Sequence, residues 1–205
     1  VKVLERIRID AERPNRRKIM HAARLAERGA LLIVPTETTY VFACRAQAAS
    51  ALNAVRRLRR LDDRHRFSLL CRDLQQAGQL AAIDDAAFRL MRRLVPGGYT
   101  FILPAASTLP KRLFGKRREI GIRISAHRVV QMLLDALGEP LVASTLIFAG
   151  EDAPAYDPEV FWPRLRGEHV ALLDAGLGGV VPTTVVDLTE GEPRCTRLGA
   201  APWPA

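Results

Sequence analysis

Apolar and polar positions alternate along this chain in short blocks, and the period of the blocks keeps switching between that of a strand and that of a helix. Leu31, Leu32, Ile33 and Val34 are four apolar residues in succession after Gly29, the pattern of a strand covered on both faces. Pro35 removes a backbone donor and ends the ladder. Thr36, Glu37, Thr38, Thr39 and Tyr40 therefore stand at the carboxyl end of the strand. Ligands in open α/β sheets gather outside such ends, but a plain polar turn gives the same pattern, and spacing alone leaves the two readings even.

The remaining blocks extend the order. Val3, Ile7 and Ile9 among charged residues predict an edge strand over 1–10. Pro14 opens a helical pattern with Ile19, Ala22, Ala23 and Ala26 on one face and Gly29 as its stop; Arg16, Arg17 and Lys18 read as its solvated face. Further strands are predicted at 41–44, 67–71, 99–103, 120–124, 141–144, 170–173 and 183–188, with 194–198 folding back across Glu190, Gly191 and Glu192. Helices are predicted after Ser50, with Leu52, Val55 and Leu58 inward, over 84–94 with Ala87, Leu90, Met91 and Leu94 inward, over 129–137, and after Asp157. Asp73 reads as a cap, Gly176 to Gly179 as a flexible link, and 201–205 as a surface extension. Without repeats or a linker, this mixture predicts one α/β domain over 1–205 with a twisted sheet.

Composition narrows the function classes. No apolar run reaches membrane-spanning length, and the first residues lack the apolar core of a secretory signal, so the expected compartment is the cytoplasm. Cys44, Cys71 and Cys195 are too far apart to suggest a zinc site or a disulfide framework, and His21, His65, His127 and His169 show no ligand spacing, so no protein-bound metal is expected. The glycines form neither the dinucleotide fingerprint nor a Walker loop. Thirty-one Lys and Arg against 22 Asp and Glu give a net charge of +9, which favours polyanionic partners. The charge is clustered. Arg56, Arg57, Arg59, Arg60, Arg64 and Arg66 fall within eleven residues, joined by His65, and Lys111, Arg112, Lys116, Arg117 and Arg118 form a second group. With so few acidic partners nearby, the first cluster reads as a phosphate-facing surface rather than a merely solvated helix. Arg123 is the odd member of an apolar strand; inside a sheet it needs either a protein carboxylate or an anionic ligand, and these stand equal.

Five motifs in one order resemble those of the YrdC family, and more closely its YciO branch. They are Pro35-Thr36-Glu37-Thr38-Thr39-Tyr40, Pro96-Gly97-Gly98-Tyr99-Thr100, Gly121-Ile122-Arg123, Thr183-Thr184-Val185-Val186-Asp187 and Arg197-Leu198-Gly199. Cys71-Arg72-Asp73-Leu74, 87–91 and Gly138-Glu139-Pro140 look like the YciO branch in particular. The resemblance implies a twisted α/β sheet around a concave basic cavity that binds nucleotide and double-stranded RNA or tRNA. It also implies synthesis of threonylcarbamoyl-AMP from L-threonine, bicarbonate and ATP with Mg2+, for tRNA modification. By position, Thr36, Tyr40, Arg123 and Thr183 or Thr184 would contact the amino acid, and Arg60, Ser144, Thr145 and Arg197 the nucleotide. The RNA-facing set would be Arg56, Arg57, Arg59, Arg60, Arg64, Arg66, Lys116, Arg117 and Arg118. The chain departs from the synthases at Arg60-Leu61-Asp62, where they resemble one another in Lys-x-Arg, and at Thr145-Leu146-Ile147, where they carry Ser-x-Asn. Cys71 also stands where some members have a histidine. Three function classes follow: a synthase with weak or altered activity, an RNA-binding module without chemistry, and a small-ligand binder whose arginines serve solubility.

Overall fold

A computed structural model describes residues 2–62, 65–113 and 117–203. Its sheet has ten strands. In chain order they are β1 (Leu4–Arg8), β2 (Leu31–Pro35), β3 (Tyr40–Cys44), β4 (Ser68–Leu70), β5 (Tyr99–Pro104), β6 (Glu119–Arg123), β7 (Leu141–Thr145), β8 (Val170–Asp174), β9 (Thr184–Asp187) and β10 (Arg194–Arg197). The helices are α1 (Arg16–Glu27), α2 (Ala49–Arg59), α3 (Leu74–Gly78), α4 (Asp85–Leu94), α5 (Arg128–Leu137) and the single turn α6 (Pro158–Phe161). Across the sheet the order is β1-β8-β2-β3-β7-β4-β6-β5-β9-β10, with parallel pairs at β1/β8, β8/β2, β4/β6 and β5/β9 and the rest antiparallel. The mixed α/β architecture read from the periodicity is the one observed.

The apolar run of β2 is explained by its position. Leu31 and Ile33 enter one core while Leu32 and Val34 enter another on the opposite face, so both sides of the strand are dry. Helices α1 and α5 cover the second face, and their core joins residues of β1, β8, β2, β3 and β7. The strands beyond are different. Phe101 and Leu103 of β5, Ile120 and Ile122 of β6 and Val186 of β9 all enter the first core. Their neighbours Thr100, Arg123, Val185 and Asp187 line an opening on the other face. That face of the sheet carries polar and small side chains where α1 and α5 stop, and the period of two in these strands is what makes a cavity there.

Local chemistry corrects several expectations. α1 opens at Arg16 rather than at Pro14, and Asn15 caps it, accepting from Arg17 N at 2.9 Å. Ser50 lies inside α2, whose cap position Ala48 offers no side-chain acceptor. Gly176 to Gly179 is a packed crossing rather than a flexible link: a Cβ on Gly179 would lie 1.9 Å from the Thr38 carbonyl oxygen, and one on Gly178 2.6 Å from the Tyr40 ring. Residues 201–203 of the tail are docked, because Thr184 Oγ1 donates to the Ala201 carbonyl and Tyr99 Oη to that of Pro202 at 2.6 Å, while the last two residues lie outside the described ones. Trp203 packs against the first core.

Candidate functional site

The cavity on the open face has a volume of about 470 Å³, within the range of small-molecule sites. Its floor comes from strand residues, Ser68 of β4, Thr100 and Ile102 of β5, Ala143 of β7 and Val185 of β9. Gly121 is required there, since a Cβ would meet Ser68 Oγ at 2.6 Å and fill the floor beside Arg123. Its rim carries Arg59, His65, Arg66, Ser144, Thr145, Ile147, Thr183, Asp187 and Arg197.

Arg123 is the most constrained polar group. It is only 4% exposed, and Nη2 donates to Thr36 Oγ1 at 3.3 Å and Thr38 Oγ1 at 3.2 Å. Glu37 Oε1 stands 3.7 Å away. Among the described residues Nε has no acceptor. Burial pushes the guanidinium pKa down; Glu37 opposes this and Arg197 adds to it. The two readings of this arginine are therefore both present in part, with a distant carboxylate at one edge and an unfilled donor at another. Thr36 is built for its place by a local turn, its hydroxyl donating to the Thr39 carbonyl at 2.6 Å and accepting from Thr39 N at 3.2 Å. Glu37 is held in turn by the hydroxyl of Ser125, a residue that motif matching did not single out.

The threonine pair resolves into two roles. Thr183 lines the cavity and its Oγ1 lies 2.7 Å from Thr100 Oγ1. Thr184 is fully buried, donating to Ala201 O and accepting from Gly199 N at 2.9 Å, so it fixes the backbone instead. Arg197 donates Nε and Nη2 to the Thr183 carbonyl at 3.1 and 2.8 Å. Gly199 permits this crossing, because a Cβ there would fall 2.2 Å from Pro182 O. Tyr40 lies in the core, its ring edge-on to Phe161 and its hydroxyl donating to Gly176 O at 2.7 Å. It holds the crossing loop and is not among the cavity-lining residues.

The basic cluster is divided by the fold. Arg60 is the exposed, left-handed end of α2 with φ +51° and does not line the cavity, whereas its neighbour Arg59 does. Arg59 Nη1 donates to Ser144 Oγ. Leu52, Val55 and Arg59 follow one another at helical spacing on the inner side, and that spacing in the sequence marks Arg59 rather than Arg60 as the inward cation. The expectation that acidic partners are scarce here is corrected at Arg57 and Arg66, and Arg56 is engaged by a carbonyl. Arg57 pairs with Glu168 at 2.6 Å, Arg66 pairs with Glu119, and Arg56 donates to the Arg112 carbonyl at 2.6 Å. Arg117 and Arg118 are exposed and do not line the cavity. Arg64 and Lys116 lie outside the described residues. His65 was missed as a site residue. Its Nε2 is 3.4 Å from Ser144 Oγ, its ring is edge-on to Phe67, and its pKa is held down to about 4. Burial is the main cause, then Arg59, with Asp62 opposing and Arg56 and Arg66 adding. Cys71 is buried in the first core.

Residues 24–199 match the Sua5, YciO and YrdC family, described as "Telomere recombination". The chain belongs to this family. Protein YciO of Escherichia coli (strain K12), itself described as uncharacterized, is 36% identical over 192 residues, 93% of each chain. Its crystal structure superposes with a TM-score of 0.90 over 98% of both chains. The threonylcarbamoyl-AMP synthase of Chromohalobacter salexigens is 32% identical across 85% of this chain and 95% of its own. P. abyssi Sua5 complexed with L-threonine superposes with a TM-score of 0.85 at 26% identity, covering 96% of this chain and 57% of Sua5. The YrdC-like family reading and its fold are thereby established from both sequence and structure. Among the described residues no helix is long and apolar enough to cross a membrane.

Proposed function

We propose that this protein binds L-threonine in the open-face cavity and, with bicarbonate and ATP carrying Mg2+, forms threonylcarbamoyl-AMP with release of diphosphate. The observation that carries this reading is Arg123, a buried guanidinium with two threonine hydroxyls, an incompletely engaged carboxylate and an unfilled Nε. A substrate carboxylate supplies the anion that such a group needs, in the bidentate geometry an arginine favours. Support comes from the relatives, one a threonylcarbamoyl-AMP synthase and one solved with L-threonine.

The chemistry asks little of the side chains beyond placement. The threonine amine attacks the bicarbonate carbon, and the bicarbonate hydroxyl leaves as water with the amine proton to give a carbamate; a carbamate oxygen then attacks the α-phosphorus as its bond to diphosphate breaks. No protein nucleophile is needed. The rate comes from holding two substrates together and from cations beside the developing phosphate charge, a part that falls to Arg197 on the rim. Ser144 and Thr145 add hydroxyls. Asp62, which the alignment places against phosphate, is exposed and does not line the cavity. Ile147 does line it, so the amide of the synthases is replaced by an apolar surface. The test is diphosphate release under saturating substrates. Release that requires both L-threonine and bicarbonate supports the proposal, and ATP turnover indifferent to threonine, or none at all, refutes it.

A second reading, RNA binding without chemistry, draws on the net charge of +9 and the exposed Arg60 and Arg117. It requires tRNA or duplex RNA affinity that falls steeply with salt. An affinity flat from low to physiological salt removes it.

A further inference from the structure

Arg123 faces two hydroxyls and one carboxylate, and the carboxylate is the group kept at a distance. Thr36 and Thr38 accept from Nη2 at 3.3 and 3.2 Å, while Glu37, between them in the same turn, stops with Oε1 at 3.7 Å. Glu37 is the one carboxylate that pairs with Arg123 among the described residues. A buried guanidinium gains most from a carboxylate in direct hydrogen-bond contact, at about 2.8 Å, so a pair left open needs a cause.

That cause is Ser125, which lies in the link between β6 and α5 and is fully buried. Its hydroxyl accepts from His127 N at 3.1 Å, which leaves its one proton for Glu37 Oε2. An ionised carboxylate can only accept, so the direction of that bond is fixed. The Ser125 carbonyl is held in turn by Gln131 Nε2 at 2.7 Å, from the first turn of α5. The donor to Glu37 is therefore set by the start of a helix, on side chain and backbone alike. Glu37 spans the gap, with Oε2 on Ser125 and Oε1 towards Arg123. It is close enough to offset part of the buried charge and too far to occupy the donors.

We propose that Ser125 is a positioning residue of the amino-acid site: by anchoring Glu37 it keeps that carboxylate from closing on Arg123 and leaves the guanidinium free for the carboxylate of an incoming amino acid. The inference rests on the reading of this cavity as the L-threonine site, and it adds a competitor carried by the protein itself. Without the anchor, Glu37 has one oxygen short of a donor and a cation 3.7 Å from the other. A small side-chain rotation closes the ion pair. The substrate must then displace a carboxylate that the chain holds at high effective concentration. A Ser125 that merely fills space matters equally whether or not residue 37 is charged. An anchor matters only while there is a carboxylate to anchor.

The experiment titrates L-threonine calorimetrically into four forms of the full chain: unmodified, Ser125→Ala, Glu37→Gln and the double variant. The expected result is that Ser125→Ala alone weakens binding about tenfold, whereas adding it to Glu37→Gln changes affinity by less than about twofold. Equal losses in the two backgrounds, or no loss in Ser125→Ala, overturn the anchor. The same four proteins without ligand report through the Arg123 Nε–H resonance in 15N spectra, assigned by its disappearance in Arg123→Lys. Ser125→Ala displaces that resonance when Glu37 is present and leaves it in place in the Glu37→Gln background. If the unmodified protein binds no L-threonine, the amino-acid reading fails by itself, and the ligand-free spectra still decide the anchor. A resonance that Ser125→Ala leaves unmoved, or moves equally in both backgrounds, overturns it.

Discussion

Single residues decide whether this cavity exists. Gly179 crosses Thr38 so closely that a Cβ would lie 1.9 Å from a carbonyl oxygen. Backbone cannot yield as a flexible side chain does, so Gly179→Ala lowers stability by about 3 kcal/mol or more, measured by urea unfolding. A loss under about 1 kcal/mol contradicts the close crossing. His65 sets a pH dependence. Its folded pKa is about 4 against an ordinary 6.5, so between these values the unfolded chain binds a proton that the folded protein refuses. Stability from this group is complete above pH 6.5 and falls as pH drops towards 4, by at most about 3 kcal/mol. His65→Gln flattens that part of the profile; an unchanged acid limb places the titrating group elsewhere.

At the scale of elements, the strands were the most legible and the helix ends the least. The apolar run of β2, the alternation in β6 and the hairpin of β9 with β10 all follow from side-chain period, because burial enforces it. Arg123 could be recognised as anomalous from Ile120, Ile122 and Ile124 around it, but which face it meets depends on where α1 and α5 stop covering the sheet. No local pattern encodes that. Arg59 and Arg60 show the same limit: motif spacing favours Arg60, while the helical face of Leu52 and Val55 favours Arg59. Tyr40 and Thr184 belong to the family motifs yet hold backbone, a distinction that only tertiary contacts make. Capping gives this scale its own test. Asn15 accepts two amide protons at the start of α1, while Ala48 at the start of α2 accepts none. Asn15→Ala destabilises the protein by about 1 kcal/mol and Ala48→Ser stabilises it by a similar amount, read as opposite shifts in Tm. Equal shifts in one direction contradict these assignments.

For the whole molecule, one sheet does two jobs. Its first face is covered from β8 across to β9, and its second is covered by α1 and α5 over one half and left open over the other, where Ser68, Thr100 and Arg123 replace apolar side chains. The +9 charge is likewise not one surface, since Arg57 and Arg66 spend theirs on Glu168 and Glu119 while Arg59, Arg123 and Arg197 turn inward. Net charge was visible in the sequence, but its partition needed the fold. The central claim is that Arg123 holds the carboxylate of L-threonine. Calorimetric titration of L-threonine and of ATP into the protein and into Arg123→Ala tests it most directly. The account predicts that the substitution abolishes L-threonine binding and leaves ATP affinity within about threefold. Equal L-threonine affinity in the two proteins would contradict it.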